Sequence, residues 1–580
     1  MTASTSPEQG KGAPAALEAD GSIDTKTPTA EETNENKEFI SGVKLALVIG
    51  SVTIVVFLLL LDQSIISTAV PQITSDLGSL SDVGWYAGAY QLASASLQPL
   101  TGKIYTYFRA NWVFLIFLFV FEIGSLICGV ANTSPTLIGG RAMAGLGCSG
   151  LVNGGMTIIA GSVPLEKRPF YTGVMIGIGQ MGLIMGPLIG GALTEYATWR
   201  WCFYINLPIG GLAAFFLVII HIPDVTVKEP FSMALVRKAL PQLDLVGFAI
   251  FAPAAVMFLL ALQLASGNQF AWNSSVTIGL LCGSGVTAVL FCYWEWRLGD
   301  KAMIPGSLVS RRVVWASCGQ IFCMMFCVFV ANFYLPIYFQ AVRGNGPTLS
   351  SVYLLPGILS QLLFVILSGV AVSKLGYYLP WAVGGAAVTA IGCGLASTFR
   401  PDTSTGIWVG YQIIIGAGRG AAMQMSIVAT QNALPADQIP VSISILIFCQ
   451  NFGGAISIVV ATTIFTQSLR SNLPILAPSV DPQAALAAGG GADAVRALLP
   501  ADSPEAYGVR LAFSNAINEV FYLLAGFAVA TLIFSCGMGW KDVRKKTPKD
   551  VKDSERVQDP KDSGEAKENE QKREKAVAEV

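Results

Sequence analysis

Four charged side chains stand inside stretches otherwise fit for a hydrocarbon core. Asp62 interrupts "FLLLLDQSIISTAVPQ" (57–72), Glu122 interrupts "FLFVFEIGSLICG" (117–129), Arg141 opens "RAMAGLGCSG" (141–150) and Arg419 sits in "GAGRGAAMQM" (416–425). An ionised group at mid-bilayer depth costs about 2.5–3.5 kcal/mol on insertion scales. Such groups therefore pair, line a water-filled path, or spend part of their time neutral. Burial favours a neutral carboxyl and a nearby cation favours the ionised one, so a carboxylate beside an arginine is a site where a proton can be exchanged. Asp62 with Arg141 is that combination, and Glu122 is a second carboxylate able to share the proton. A permanent structural ion pair is the other reading of the same residues. Arg419 could meet an anionic substrate or anchor a helix. Other chemistry finds little footing. A single histidine, His221, rules out a histidine relay, and the eleven cysteines lie in or beside apolar runs. The closest two, Cys323 and Cys327, are one helical turn apart with no His or second Cys pair nearby, so neither a metal site nor a disulfide framework is expected. No G-x-x-x-x-G-K-[ST] occurs, and no cofactor is expected.

The elements that must carry these groups follow from composition. The chain of 580 residues is 53% hydrophobic and only 13% charged, which is membrane composition. A net charge of −1 gives no basic field for nucleic acid. Apolar windows near 43–69, 83–105, 112–131, 136–160, 170–193, 202–221, 243–264, 275–297, 312–340, 348–370, 380–398, 405–430, 441–467 and 518–540 each suffice to cross a bilayer. Lipid forces them to be helices, so the expected fold is all-α with fourteen transmembrane helices. An even number puts both tails on one side. Alternate short loops hold about twelve basic residues, among them Lys103, Arg109, Lys167, Arg168, Lys228 and Lys374, against about six in the opposite loops. Both termini are therefore expected in the cytoplasm. The two N-x-Ser/Thr sequons, Asn132 and Asn273, fall outside by this count, in loops too short for glycosylation to be expected. Residues 1–42 and 541–580 read as disordered tails.

The two ends of the apolar region repeat. "GLGCSGLVNGGMTIIAGSVP" (145–164) aligns without gaps to "GAGRGAAMQMSIVATQNALP" (416–435), matching Gly145 with Gly416, Asn153 with Gln424 and Cys148 with Arg419. "GKIYTYF" (102–108) resembles "GVAVSKL" (369–375). The layout expected is a six-helix bundle over 43–221, two inserted helices with flanking loops over 222–311, and a second six-helix bundle over 312–540, with an outer loop at about 470–517. In span five, Gly182, Gly186, Gly190 and Gly191 recur at near four-residue spacing and make one smooth face, while Pro187 permits a bend. A cavity between the bundles needs walls. Trp85, Tyr86, Tyr90 and Gln91 on span two, with Asn332, Tyr334, Tyr338 and Gln340 on span nine, suit a bulky, mostly apolar ligand, although Trp and Tyr near span ends also form interfacial belts.

These motifs together resemble the major facilitator superfamily, and within it the fourteen-span drug:proton antiporters, closest to the toxin and multidrug efflux pumps of filamentous fungi. "LDQSIISTAVP" (61–71) is similar to the family's first-span motif, "RAMAGLGCSG" with Arg141 and Gly145 to its fourth-span arginine motif, "GLIMGPLIGG" (182–191) to the antiporter motif and "WRWCFYINLPIGG" (199–211) to its sixth-span entry. The resemblance spans roughly residues 43 to 540. The loop after span two departs from it: Gly102 and Lys103 are present, but Thr106 stands where the family has an Asp and Arg109 where it has a Gly.

The resemblance implies export of a secondary metabolite, mycotoxin or xenobiotic in exchange for protons, by a monomer in the plasma membrane or a vacuolar or vesicular one. A membrane potential of 100 mV with two pH units supplies about 5 kcal/mol per proton, enough for a gradient of three to four decades. Replacing Asp62 by Asn is expected to abolish coupling with folding mostly intact. An importer of a nutrient or iron chelate is the alternative within transport. A receptor or sensor would need ordered soluble domains, and a membrane enzyme would need a clustered nucleophile, His pair or metal set.

Overall fold

Apolar runs of twenty residues and more leave a lipid-facing backbone nothing to bond but itself, so each closes its own i→i−4 ladder. The computed structural model describes residues 39–77, 82–220, 222–226, 228–230, 232–266, 271–487 and 505–544. Its long helices are α1 Gly42–Leu77, α2 Val83–Tyr107, α3 Ala110–Val130, α4 Ser134–Ser162, α5 Arg168–Tyr196 and α6 Asn206–Ile219, the last preceded by the short turn Trp201–Tyr204. Then come α7 Leu245–Ser266, α8 Ser275–Leu298, α9 Arg312–Ile337, α10 Leu355–Leu375, α11 Leu379–Ala396, α12 Thr405–Ala422, α13 Ile439–Leu476 and α14 Ala506–Gly537. Among the described residues, thirteen helices are long and apolar enough to cross a membrane. The fourteenth, α2, has 25 residues but carries Gln91, Gln98, Lys103 and several small polar residues, which lower its hydropathy. It is nevertheless held between α4, α7 and α13.

The chain is thus an all-α membrane protein of two six-helix bundles with two inserted helices, and the bundles pack alike. In the first, α1 lies on α5, α2 and α3 lie on α4, and α6 lies on α1 and α3. In the second, α9 lies on α13, α10 and α11 lie on α12, and α14 lies on α9 and α11. Even single hydrogen bonds recur: Asn153 donates to the Thr101 hydroxyl at 3.0 Å, and its aligned partner Gln424 donates to that of Ser368 at 3.2 Å. The bundles meet along two matching seams, α2 on α13 and α5 on α10. The inserted α7 fills the groove beside α2 and α13, whereas α8, among the described residues, packs mainly on α7. On α8, Val286, Val289 and Leu290 are more than half exposed, a face that only lipid would cover.

The apolar cores divide by depth. At the end carrying both termini, one core joins Val48, Val52 and Val55 of α1 to Ile321 of α9 and Ile439, Ile443 and Leu446 of α13. At the opposite end each bundle keeps its own core, one around Leu61, Ile65 and Trp199 and the other around Tyr334, Phe399 and Trp408. The bundles are therefore closed on each other at the terminal end.

Two stretches differ from the sequence expectation. The outer loop is shorter than 470–517, because α13 runs to Leu476 with Leu469 and Leu473 fully buried, and α14 begins at Ala506. A short helix, Pro482–Ala487, follows α13, and 488–504 lie outside the described residues. The tail expected to be disordered from 541 is ordered in its first four residues. Val543 is 2% exposed and donates its N–H to Gly376 at 2.8 Å, where a positive φ of 86° ends α10. Residues 1–38 and 545–580, with His221, lie outside the described residues.

Candidate functional site

The α1 and α4 helices bring Asp62 and Arg141 into contact, Nη1 to Oδ2 at 2.5 Å, with each residue 1% exposed. The guanidinium donates a second bond from Nε to the Tyr86 carbonyl at 2.8 Å and lies 4.5 Å from the centre of the Tyr90 ring. Asn206, on the first turn of α6, donates to the other Asp62 oxygen at 3.3 Å and to Ser125 Oγ at 3.1 Å. A buried ion pair is tolerated when further hydrogen bonds satisfy its remaining atoms, and Asn206 and Tyr86 supply them here. Asn206 was passed over in the sequence. Its signal was there, as one amide in the apolar "INLPIGG". Asp62→Asn, expected from the sequence to leave folding mostly intact, would in this geometry leave a buried arginine without its anion.

Glu122 differs in kind. Both carboxylate oxygens are shut off from solvent and have no hydrogen-bond partner among the described residues. The side chain lies over Gly210 of α6, one turn beyond Asn206, and Ser125 is one turn along its own helix. It thus sits one turn from Ser125 and Asn206, and Asn206 in turn holds Asp62. Arg419 is the corresponding oddity of the second bundle: 2% exposed, with Nε and Nη1 lacking partners.

The glycines of α5 do not all share one face. A Cβ on Gly182 or Gly190 would strike the carbonyl oxygens of Phe57 or Ile65 on α1, and one on Gly186 would strike Ser64 and the Ile65 amide. Gly191 meets nothing within 4 Å, because the residue after Gly190 is turned about 100° away on a helix. Pro187 lies inside α5. Gly145 presses on the Tyr90 carbonyl of α2. Gly102 allows α2 to approach Val441 Cα of α13, where an added Cβ would lie 2.8 Å away, and Lys103 donates to the Lys301 carbonyl at 3.3 Å.

The degenerate loop between α2 and α3 is tied down from elsewhere. Thr106 bonds back to Gly102 of its own helix at 2.9 Å, and Arg109 is exposed. From the loop after α6, Asp224 accepts from the Ala110 amide at 2.7 Å, and Lys228 donates to the carbonyls of Tyr105 and of Phe108, the latter at 2.7 Å. Burial lowers the Lys228 ammonium to about 8, with Asp224 opposing. It therefore remains mostly charged at neutral pH. An anion at the start of α3 and a cation at the end of α2 both match the helix dipoles.

The eight cavity residues are not brought together. Tyr86 and Tyr90 are buried around Arg141, and Trp85 packs near Leu259 of α7. Gln91 is exposed. Tyr334 and Tyr338 are buried among Phe465, Phe339 and Phe399, with Tyr338 opening a π-helical turn that also holds Gln340. Of the eight, only Asn332 lines a cavity with Arg419. The sequon residues Asn132 and Asn273 are exposed. All eleven cysteines are free thiols.

Twinned helical bundles around buried charges, with glycine-lined seams between them, define a multi-pass membrane carrier. The sequence comparison names the group: the Major Facilitator Superfamily model matches residues 52–458, and the chain belongs to that family. It is 56% identical over 529 residues to the MFS-type transporter calB of Penicillium decumbens, covering 91% of this chain and 94% of that protein. It is 48% identical over 532 residues to the efflux pump mlcE of Penicillium citrinum, covering 90% and 95%. Among solved structures, the human organic anion transporter MFSD10 shares the fold, with a TM-score of 0.55 at 12% identity, covering 85% of this chain and 100% of that one. The chain is a transporter of small molecules, not an enzyme.

Proposed function

We propose that the protein exports a small, mostly apolar metabolite or xenobiotic in exchange for protons, and that Glu122 carries the proton. The relatives named as efflux pumps support the direction of transport. The observation that carries the coupling is the pair of Glu122 oxygens that have no hydrogen-bond partner among the described residues, against Gly210 and one helical turn from Ser125 and Asn206, of which Asn206 also holds Asp62. A neutral carboxyl fits that place, whereas an ionised one adds a second negative charge where a single arginine balances a single aspartate. Protonation of Glu122 from the far end and its loss at the terminal end would favour opposite tilts of the bundles about the α5 glycine face. Asp62 and Arg141 remain paired throughout and set the field in which Glu122 titrates. The protein acts as a monomer in the plasma membrane, with both termini in the cytoplasm.

The test uses Glu122→Gln, a neutral isostere. In a host producing the full chain, metabolites are compared in cells and medium, and a compound exported by the wild type is then followed in vesicles under an imposed proton gradient. Glu122→Gln should leave thermal stability unchanged or raised and should lose gradient-driven accumulation while exchanging substrate down its own gradient. Undiminished accumulation by this variant would falsify the assignment.

A further inference from the structure

We infer that Arg419 is an anion-binding residue, which takes a carboxylate group in the outer half of the second bundle. The inference rests on the export reading and adds a substrate class to it. The argument begins with the internal repeat. Gly182 packs on the Phe57 carbonyl and Gly453 packs on that of Phe322, so Asp62, five residues after Phe57, has its counterpart in Cys327, five after Phe322. Gly145 packs on α2 as Gly416 packs on α10, so Arg141, four residues before Gly145, has its counterpart in Gln412. The ion pair of the first bundle thus becomes a thiol and an amide in the second.

Into this neutral setting Arg419 places a full charge. Among the described residues it has no ion pair, and the titratable groups acting on it are the thiols of Cys393 and Cys327. A buried guanidinium with two unbonded nitrogens is destabilising unless an anion joins it. The unsatisfied side chain lines a cavity of about 10 Å³, room for one water-sized group in this conformation, between α9, α10 and α12, with Asn332, Gln412, Leu335, Leu354 and Ile358. Gln412 is held by its donation to the Tyr353 carbonyl at 2.9 Å. Two amides and a planar donor fork beside apolar side chains suit the head of a lipophilic acid, since guanidinium and carboxylate geometries match. A small inorganic anion would share only the charge.

The experiment is a thermal-shift titration of the purified full chain with 2-naphthoate, with its neutral amide, and with chloride. The wild type should be stabilised by naphthoate and not by the amide, and Arg419→Gln should bind naphthoate about ten- to a hundredfold more weakly. Arg419→Lys, which keeps the charge without the fork, should fall between. Without ligand, Arg419→Gln should be at least as stable as the wild type, which shows that it folds. Equal responses to naphthoate and its amide, an unchanged response in Arg419→Gln, or a response to chloride alone would each overturn the assignment. Wild-type cells that export no metabolite would instead sink the export reading and leave the binding result standing.

Discussion

At the scale of single residues, the enclosure of Asp62 decides what its removal does. The carboxylate is held by Arg141 and Asn206 with almost no exposure, so Asp62→Asn strands a buried guanidinium. Breaking one partner of a buried pair costs about 3–5 kcal/mol, while replacing both by apolar groups is often near neutral. Asp62→Asn should therefore lower the unfolding temperature and membrane yield, and Asp62→Asn with Arg141→Met should recover most of both. Thermal unfolding of the detergent-solubilised variants reads this directly; equal stability of the wild type and the single variant would show that the pair contributes nothing. The charges were legible in the sequence because the bilayer makes each one conspicuous. Which carboxylate has partners was not. Asp62 has Arg141 from α4 and Asn206 from α6, whereas Glu122 has none among the described residues, and which helices approach which carboxylate is not revealed by spacing along the chain.

At the scale of the element, the contact of α1 with α5 shows how close packing replaces the hydrophobic effect inside lipid, where apolar area between helices gains nothing over lipid tails. Gly190 brings α5 onto the Ile65 carbonyl, and an added Cβ there would lie 2.7 Å from that oxygen. Backbone cannot yield as a side-chain tip can, so Gly182→Ala and Gly190→Ala should each destabilise by about 1–3 kcal/mol. Gly191→Ala should stay within about 0.5 kcal/mol of the wild type. The comparison is made by thermal unfolding of the three variants side by side, and matched losses at 190 and 191 would contradict the assigned face. The near four-residue spacing gave the stripe correctly for 182, 186 and 190, because that period follows from helix geometry. It failed at 191, where adjacency in sequence was mistaken for adjacency on the helix. The ends of α13 and α14 were also misjudged, since Ala, Ser and Asn around 470–476 and 506–517 lower hydropathy while their neighbours Leu473, Phe513 and Ile517 still pack.

At the scale of the whole molecule, the repeat makes the two seams equivalent. Gly102 of α2 faces the Pro440 carbonyl of α13, and Gly369 of α10 faces the Pro169 carbonyl of α5. These are the same contact seen from opposite bundles, and both lie toward the terminal end. Alternating access requires both to part together while the far end closes. A covalent tie across either seam should therefore stop the cycle, and the α5–α10 seam offers a well-placed pair. A Cβ on Gly177 would meet Leu362 Cδ1 at 2.6 Å, so Gly177→Cys with Leu362→Cys puts two small thiols where a leucine now fills the space. Mild oxidation should link them in the resting protein, hold the terminal end shut and abolish metabolite export, and a reductant should restore it. Each single variant under the same oxidant controls for the eleven native thiols. Export that continues at full rate in the linked protein would mean that the seam does not open during transport, and the twinned packing would then describe how the carrier is built without describing how it moves.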